Sequence, residues 1–169
     1  YGASGVQIGA ALGVNQPRRR NGIAFNGNDG ILIDHGTSDS ILGNDIFSNT
    51  RLGINLLNGG NNNQLPPTLT SASISDSTGA TTVSGSITAT PNTKYQVELF
   101  ASTASTTGNG QFFLGFVNVT TNASGVGQFQ ASGLVNPDPT NADSITATAT
   151  DPTGSTSEFS AATAATHVA

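Results

Sequence analysis

Residues 44–56 repeat residues 21–33 at a constant spacing of 23 residues, and no other feature restricts the fold as tightly. Asn21 falls on Asn44, Ile23 on Ile46, Asn26 on Asn49, Gly30 on Gly53, Ile31 on Ile54 and Ile33 on Leu56. Upstream, Gly5-Val6-Gln7-Ile8 has the same Gly-apolar-x-apolar form, 25 residues before Gly30, which places a two-residue insertion in the loop around 13–20. Short alternating segments at such a period predict a parallel β-helix, because each turn of chain is too small to bury its own apolar face and needs a stacked neighbour. Period-two alternation puts Val6, Ile8, Ile23, Phe25, Ile31, Ile33, Ile46, Ile54 and Leu56 inside. Gly, Asn and Asp recur too often for a Leu-rich helical repeat. Asn21 over Asn44 and Asn26 over Asn49 are expected at corners, where a short amide tolerates left-handed backbone and bonds to its counterpart one turn away. Hairpins closed at Asn21-Gly22 and Asn26-Gly27 are the alternative. They have no reason to keep a 23-residue register.

The run Leu57-Asn58-Gly59-Gly60-Asn61-Asn62-Asn63-Gln64-Leu65-Pro66-Pro67 cannot extend a strand ladder, so the chain divides into 1–63 and 64–169. Beyond it, strands are expected at 68–75, 81–89, 95–101, 112–120, 127–133, 144–150 and 158–161, separated by Gly, Pro, Asn and Asp turns. Seven short strands without helix formers between them predict an antiparallel β-sandwich of immunoglobulin type. Its expected core is Val83, Ile87, Val97, Leu99, Phe113, Phe129, Ile145 and Phe159. Thr146, Thr148 and Thr150 are expected to face solvent. The chain is thus read as all-β: a short right-handed parallel β-helix stub followed by an antiparallel immunoglobulin-like β-sandwich.

Composition removes several functions. Charged residues are 9% of the chain, with five Lys+Arg and a net charge of −5, too little cation to hold a nucleic-acid backbone. No apolar run approaches the length of a membrane span. There is no Cys, hence no disulfide or thiolate chemistry. With 23 Thr, 18 Ser and 17 Asn, the texture suits a secreted or cell-surface protein. Met is absent and residue 1 is Tyr, so a processed or excised piece is expected. The sequons at Asn118 and Asn122 are read as chance matches in a Thr-rich chain.

The chemistry-bearing residues are few. Arg18-Arg19-Arg20, the one basic cluster, could grip a sulfate, a uronate or an acidic partner; a solvated loop is the favoured reading. Asp34 and His35 point opposite ways on an extended strand, whereas Asp34 and Asp39 could approach across the bend as an acid/base pair. A corner loop whose Asp caps backbone amides is favoured over that pair. One His and scattered Asp fall short of a metal site, and His167 is placed in a frayed tail. No nucleophile elbow, phosphate loop or dinucleotide fingerprint occurs. Tyr95, Phe112 and Phe116 could stack a sugar ring, although aromatics at sheet spacing more often belong to a core. No catalytic residue and no cofactor is assigned.

The stretch from Asn21-Gly22-Ile23-Ala24-Phe25-Asn26-Gly27 through Ile41-Leu42-Gly43-Asn44-Asp45-Ile46 to Leu52-Gly53-Ile54-Asn55-Leu56 resembles the right-handed parallel β-helix repeats of bacterial surface and secreted proteins. Gln64-Leu65-Pro66-Pro67, Val83-Ser84-Gly85-Ser86-Ile87 and Ile145-Thr146-Ala147-Thr148-Ala149-Thr150-Asp151 resemble the sandwich that follows such repeats. The resemblance specifies architecture and is nearly silent on activity; the chain is read as a non-catalytic extracellular module that terminates a β-helical stalk, protects open strand edges and presents neighbouring domains. Self-association through the N-terminal coil belongs to that expectation. A carbohydrate-binding module, or part of a polysaccharide lyase or glycoside hydrolase, is the alternative.

Overall fold

The structure, a computed structural model, describes residues 2–14, 20–103, 108–142 and 144–169. In the N-terminal part, segments of three or four apolar-alternating residues form six strands: β1 (Gln7–Gly9), β2 (Gly22–Ala24), β3 (Ile31–Asp34), β4 (Ser40–Leu42), β5 (Asp45–Phe47) and β6 (Ile54–Leu57). They pair as β1 with β4, β2 with β5 and β3 with β6, all parallel. Ile23 lies beside Ile46, Ile31 beside Ile54 and Ile33 beside Leu56. Ile8, Ile23, Ile31, Ile33, Ile41, Ile46, Ile54 and Leu56 share one apolar cluster.

Three expectations for this part need correction. The pairs are separate two-stranded sheets, and none closes or winds on as a solenoid, so the expected parallel β-helix does not form. Left-handed residues at Phe25, His35, Ser48 and Asn58 stop the strands after one short pair each. Next, residues 5–9 lie on 37–42 rather than in the row of Ile31 and Ile54. Gly5 N–H donates to Thr37 O at 2.9 Å, Ser40 N–H donates to Val6 O at 2.8 Å and the Asp39 carboxylate accepts from Val6 N at 2.8 Å. These polar ties, which alternation does not encode, leave Val6 exposed. Last, Phe25 is 81% exposed, because its φ of 59° ends β2 and turns the ring outward against Phe47.

The C-terminal part adds β7 (Thr68–Ser75), β8 (Ala80–Thr88), β9 (Lys94–Ser102), β10 (Phe112–Thr120), β11 (Val126–Val135), β12 (Ser144–Thr150), β13 (Thr163–Ala164) and β14 (Thr166–Val168). They build two four-stranded sheets, ordered β10-β9-β12-β13 and β11-β8-β7-β14. All pairs are antiparallel except β14 on β7. The chain is all-β, with one 3-10 turn at Gly60–Asn63 and no α-helix among the described residues. Between the sheets lie Ile74, Val83, Ile87, Val97, Leu99, Phe129 and Ile145. Each such side chain contributes about 1.5–3 kcal/mol when fully removed from water.

The strand expected at 158–161 is absent. Residues 156–160 do run beside β12, but Ser157 and Ser160 hydroxyls accept from Ala149 N and Ala147 N in place of a regular ladder. Thr146, Thr148 and Thr150 are buried at 1% exposure, not solvent-facing. They share a face of the sheet with Gln96, Glu98 and Phe100, opposite the core between the two sheets. That second face is covered by the parallel pairs, and Phe100, Phe113 and Phe159 complete the apolar cluster there. Phe113 and Phe159 are therefore buried, but in this seam and not between the two sheets.

Candidate functional site

Arg18 and Arg19 lie outside the described residues. Arg20 is carried from the end of the same loop to the edge strand β10, where its Nη1 donates to Phe113 O at 3.1 Å and lies 3.4 Å from Asp45 Oδ1. Asp45 also accepts from Phe113 N at 3.0 Å. Half-burial pushes the Asp45 carboxyl above its usual range, against the opposing pull of the Phe113 N–H and the Arg20 guanidinium. Beside this pair a groove of about 370 Å³ runs between Arg20, Phe113 and Phe116 on one side and Leu134, Val135 and Pro137 on the other. Val135 is 70% exposed at its rim. The bulge between Phe113 and Gly115 opens the groove by displacing Leu114 from the ladder. Chemically the groove offers guanidinium N–H donors that have no partner among the described residues, beside an apolar and aromatic wall. Its described lining contains neither carboxylate nor imidazole.

Of the proposed sugar-stacking aromatics, only Phe116 reaches that groove. Tyr95 is 2% exposed, and its hydroxyl accepts from Thr90 N at 3.2 Å. Phe112 packs against the core between the sheets. Tyr95 therefore presents no ring to solvent as a platform would require, while Phe112 is half-buried and lies outside the groove lining.

Asp34 and His35 do not diverge. His35 takes a φ of 62°, so the strand ends there and its Nδ1 comes to 2.7 Å from Asp34 Oδ1. The Asn58 amide, at 2.7 Å, and then the His35 ring hold the Asp34 carboxyl below its usual range. Both side chains are largely exposed. Asp39 is buried away from this pair, with its carboxylate on Val6 N, and bonds as a turn residue. Asp34 and Asp39 do border one apolar cleft of about 290 Å³, whose walls are Val6, Ile8, Ile31 and Ile33.

The paired amides meet across β2 and β5, and none of the four has a left-handed backbone. Asn21 Nδ2 donates to Asn44 Oδ1 at 2.8 Å, and Asn26 Nδ2 donates to Asn49 Oδ1 at 2.8 Å. Asn44 and Asn49 also donate to the carbonyls of Ile8 and Ile23, at 2.9 and 3.0 Å. Asn55, with Leu52 N–H, holds the Asp29 carboxyl below its usual range.

The most unusual electrostatic environment was not among the sequence candidates. Glu98 is 1% exposed, and Gly43 N–H donates to both of its oxygens at 3.1 and 2.9 Å. Burial pushes its carboxyl up to about 8, with the Gly43 N–H and the Gln96 amide pulling the other way. No ion pair holds it among the described residues. Burial thus favours its protonated form, and the side chain serves as a seam between sheet and parallel pairs. Strand alternation carried the signal: Gln96, Glu98 and Phe100 share one face, and a Phe among polar residues marks a covered face.

No group of three or more metal-ligating side chains occurs among the described residues. Compared with known proteins, the chain matches no family model and no curated protein. The resemblance to the β-helical bacterial surface proteins therefore does not hold, since neither the sheets nor a family match carries it.

Proposed function

We propose that the chain is a non-catalytic structural and presentation module of a secreted or cell-surface protein, its C-terminal part a sandwich of immunoglobulin type. One observation carries this reading: backbone N–H groups in and next to β4, β5 and β6 are met one by one by the C-terminal part. Ile41 N donates to Thr156 Oγ1, Gly43 N to Glu98, Ile46 N to Gly110 O, Gly53 N to Gly108 O and Leu56 N to Glu158 Oε1, at 2.7–3.1 Å. Unpaired strand edges invite aggregation, and covering them is a structural task. The other edges of β1, β2 and β3 meet no further strand among the described residues, and Leu32 is half exposed beside the apolar cleft. That open end is the surface for neighbouring domains or a second copy. The Tyr95 hydroxyl tied to backbone five residues upstream supports the immunoglobulin-type reading, where such tyrosine corners recur.

Calorimetry tests the capping role. A single cooperative transition is expected, with the parallel pairs and the sandwich melting together; a separate early transition of the parallel pairs would remove the support.

Carbohydrate binding is the second reading, favoured by the meeting of Arg20 and Phe116 in one groove. A guanidinium beside an aromatic wall suits an acidic sugar. On a glycan array, selective retention of uronate- or sulfate-bearing glycans that Arg20→Ala abolishes would establish it over the inert reading.

A further inference from the structure

His167 holds the last described strand by both ring nitrogens. Its Nδ1 is 2.6 Å from Asp76 Oδ1, in the turn between β7 and β8, and its Nε2 is 3.1 Å from Ala142 O, just before β12. A carboxylate and a carbonyl are both acceptors, so both contacts are hydrogen bonds only when an additional proton sits on the His167–Asp76 pair. A neutral imidazole carries one N–H and would turn a lone pair towards one of the two oxygens.

What His167 holds in place is a cover for two sheet edges. Residues 163–168 cross from one sheet to the other: β13 pairs with β12 through Ser144–Ala164 and Ile145–Thr163, and β14 pairs with β7 through Thr166–Ser73, His167–Ile74 and Val168–Ser75. Asp76 N–H donates to Val168 O at 3.0 Å, closing the strand. All three residues of β14 are exposed. A three-residue strand with so little burial is held mainly by its hydrogen bonds, and such segments open first.

We propose that the C-terminal segment is a proton-dependent clasp, with His167 locking β14 over the β7 edge when protonated and loosening it when neutral. The groups described as facing His167 are Asp76 from the β7–β8 turn and the Ala142 carbonyl. Asp143, which follows Ala142, lies outside the described residues. The lock is complete at low pH and lost as pH rises. Losing one charge-assisted bond at an exposed site is expected to raise the opening of β14 about three- to tenfold.

Backbone hydrogen exchange followed by NMR at about pH 5.5 and about pH 8, corrected for intrinsic rates, reads this opening. Protection of Asp76 N–H and of the β14 amides is expected to fall about three- to tenfold between the two. In His167→Gln their protection should be low at both pH values, while amides of β8 and β9 keep wild-type values. Glu98 titrates in both proteins, so only the difference between them is read. Ring nitrogen shifts at the lower pH should show both nitrogens protonated. Protection that does not fall with pH, a Gln variant with the wild-type pH response, or a single neutral tautomer at the lower pH would each overturn the clasp.

Discussion

A carboxyl placed where water cannot reach it makes stability depend on pH, and Glu98 is so placed. Its folded value of about 8 lies above the ordinary 4.5, so the folded chain holds a proton that the unfolded chain releases. The stability tied to that proton is complete below about 4.5, declines as pH rises through the window up to about 8, and is level above it. Asp45, also raised, acts in the same direction, whereas the lowered Asp29 and Asp34 act at acid pH and lose their contribution as pH falls. Replacing Glu98 by Gln keeps an acceptor for Gly43 N–H and removes the titration. Urea denaturation at about pH 5 and about pH 8 should show wild type losing stability towards the higher pH and Glu98→Gln losing much less. Parallel behaviour of the two proteins would place the titration elsewhere. Next to Glu98 in the ladder, the Thr148 hydroxyl is buried without a partner among the described residues. Thr148→Val removes that orphan at nearly constant shape, so it should leave stability unchanged or raise it by about 1 kcal/mol, read as a shift in urea midpoint.

Among the elements, the 3-10 turn at Gly60–Asn63 does more than end the parallel pairs. Asn61 is wholly buried; its Nδ2 donates to Asp39 O and Thr156 O, both at 2.8 Å, and its Oδ1 accepts from Asp39 N at 3.0 Å. One amide thus joins the turn, the start of β4 and the segment beside β12. Asn61→Ala should cost about 2–4 kcal/mol in urea denaturation, because it strands Asp39 N–H and Thr156 O and leaves Asp39 O with only the Thr156 N–H at 3.4 Å. Asn62 has a similar left-handed backbone, φ 55° against 44°, but is exposed, so Asn62→Ala should cost only the conformational share, about 1 kcal/mol. In the sequence, Asn61-Asn62-Asn63 reads as a break, and composition does not say which Asn faces inward. The same limit runs through the chain. Six strands of the C-terminal part could be read from alternation and turns, because Val83, Val97, Leu99 and Ile145 keep period two between Gly, Pro and Asn turns. The seventh could not, because Ser157 and Ser160 keep their N–H bonds to Ala149 O and Ala147 O but offer hydroxyls where a ladder would offer carbonyls, and no apolar pattern records that. Alternation also placed Thr146, Thr148 and Thr150 together on a face without telling what covers it. Within the candidate groove, Arg20 and Phe116 were separately visible, but their meeting depends on the β10 edge folding against the β2–β5 pair.

At the scale of the whole molecule, the question is whether the two parts can exist separately, and the packing around Gly110 answers it. Ile46 and Gly110 exchange two backbone hydrogen bonds, at 2.7 and 2.8 Å, so β5 of the N-terminal part and the segment before β10 form an antiparallel bridge. Directly above it, Phe100 packs edge-to-face on both Phe113 and Phe159, with ring centres 5.7 and 5.2 Å apart. A Cβ at Gly110 would stand 2.6 Å from Phe159 and 2.7 Å from Phe100, and both rings belong to the shared cluster with Ile33, Ile46 and Ile54. Nothing near Gly22, by contrast, lies within 4 Å of an added Cβ. Overpacking at a filled site forces neighbours apart and costs about 1–3 kcal/mol, while a change into open space stays within about 0.5 kcal/mol. Gly110→Ala should therefore lower the melting temperature and speed exchange of amides in β5, β6 and β9 together, and Gly22→Ala should do neither. If Gly110→Ala loosened only the parallel pairs and left β9 protected, the aromatic seam would be a contact between independent bodies and not the joint that makes them fold as one.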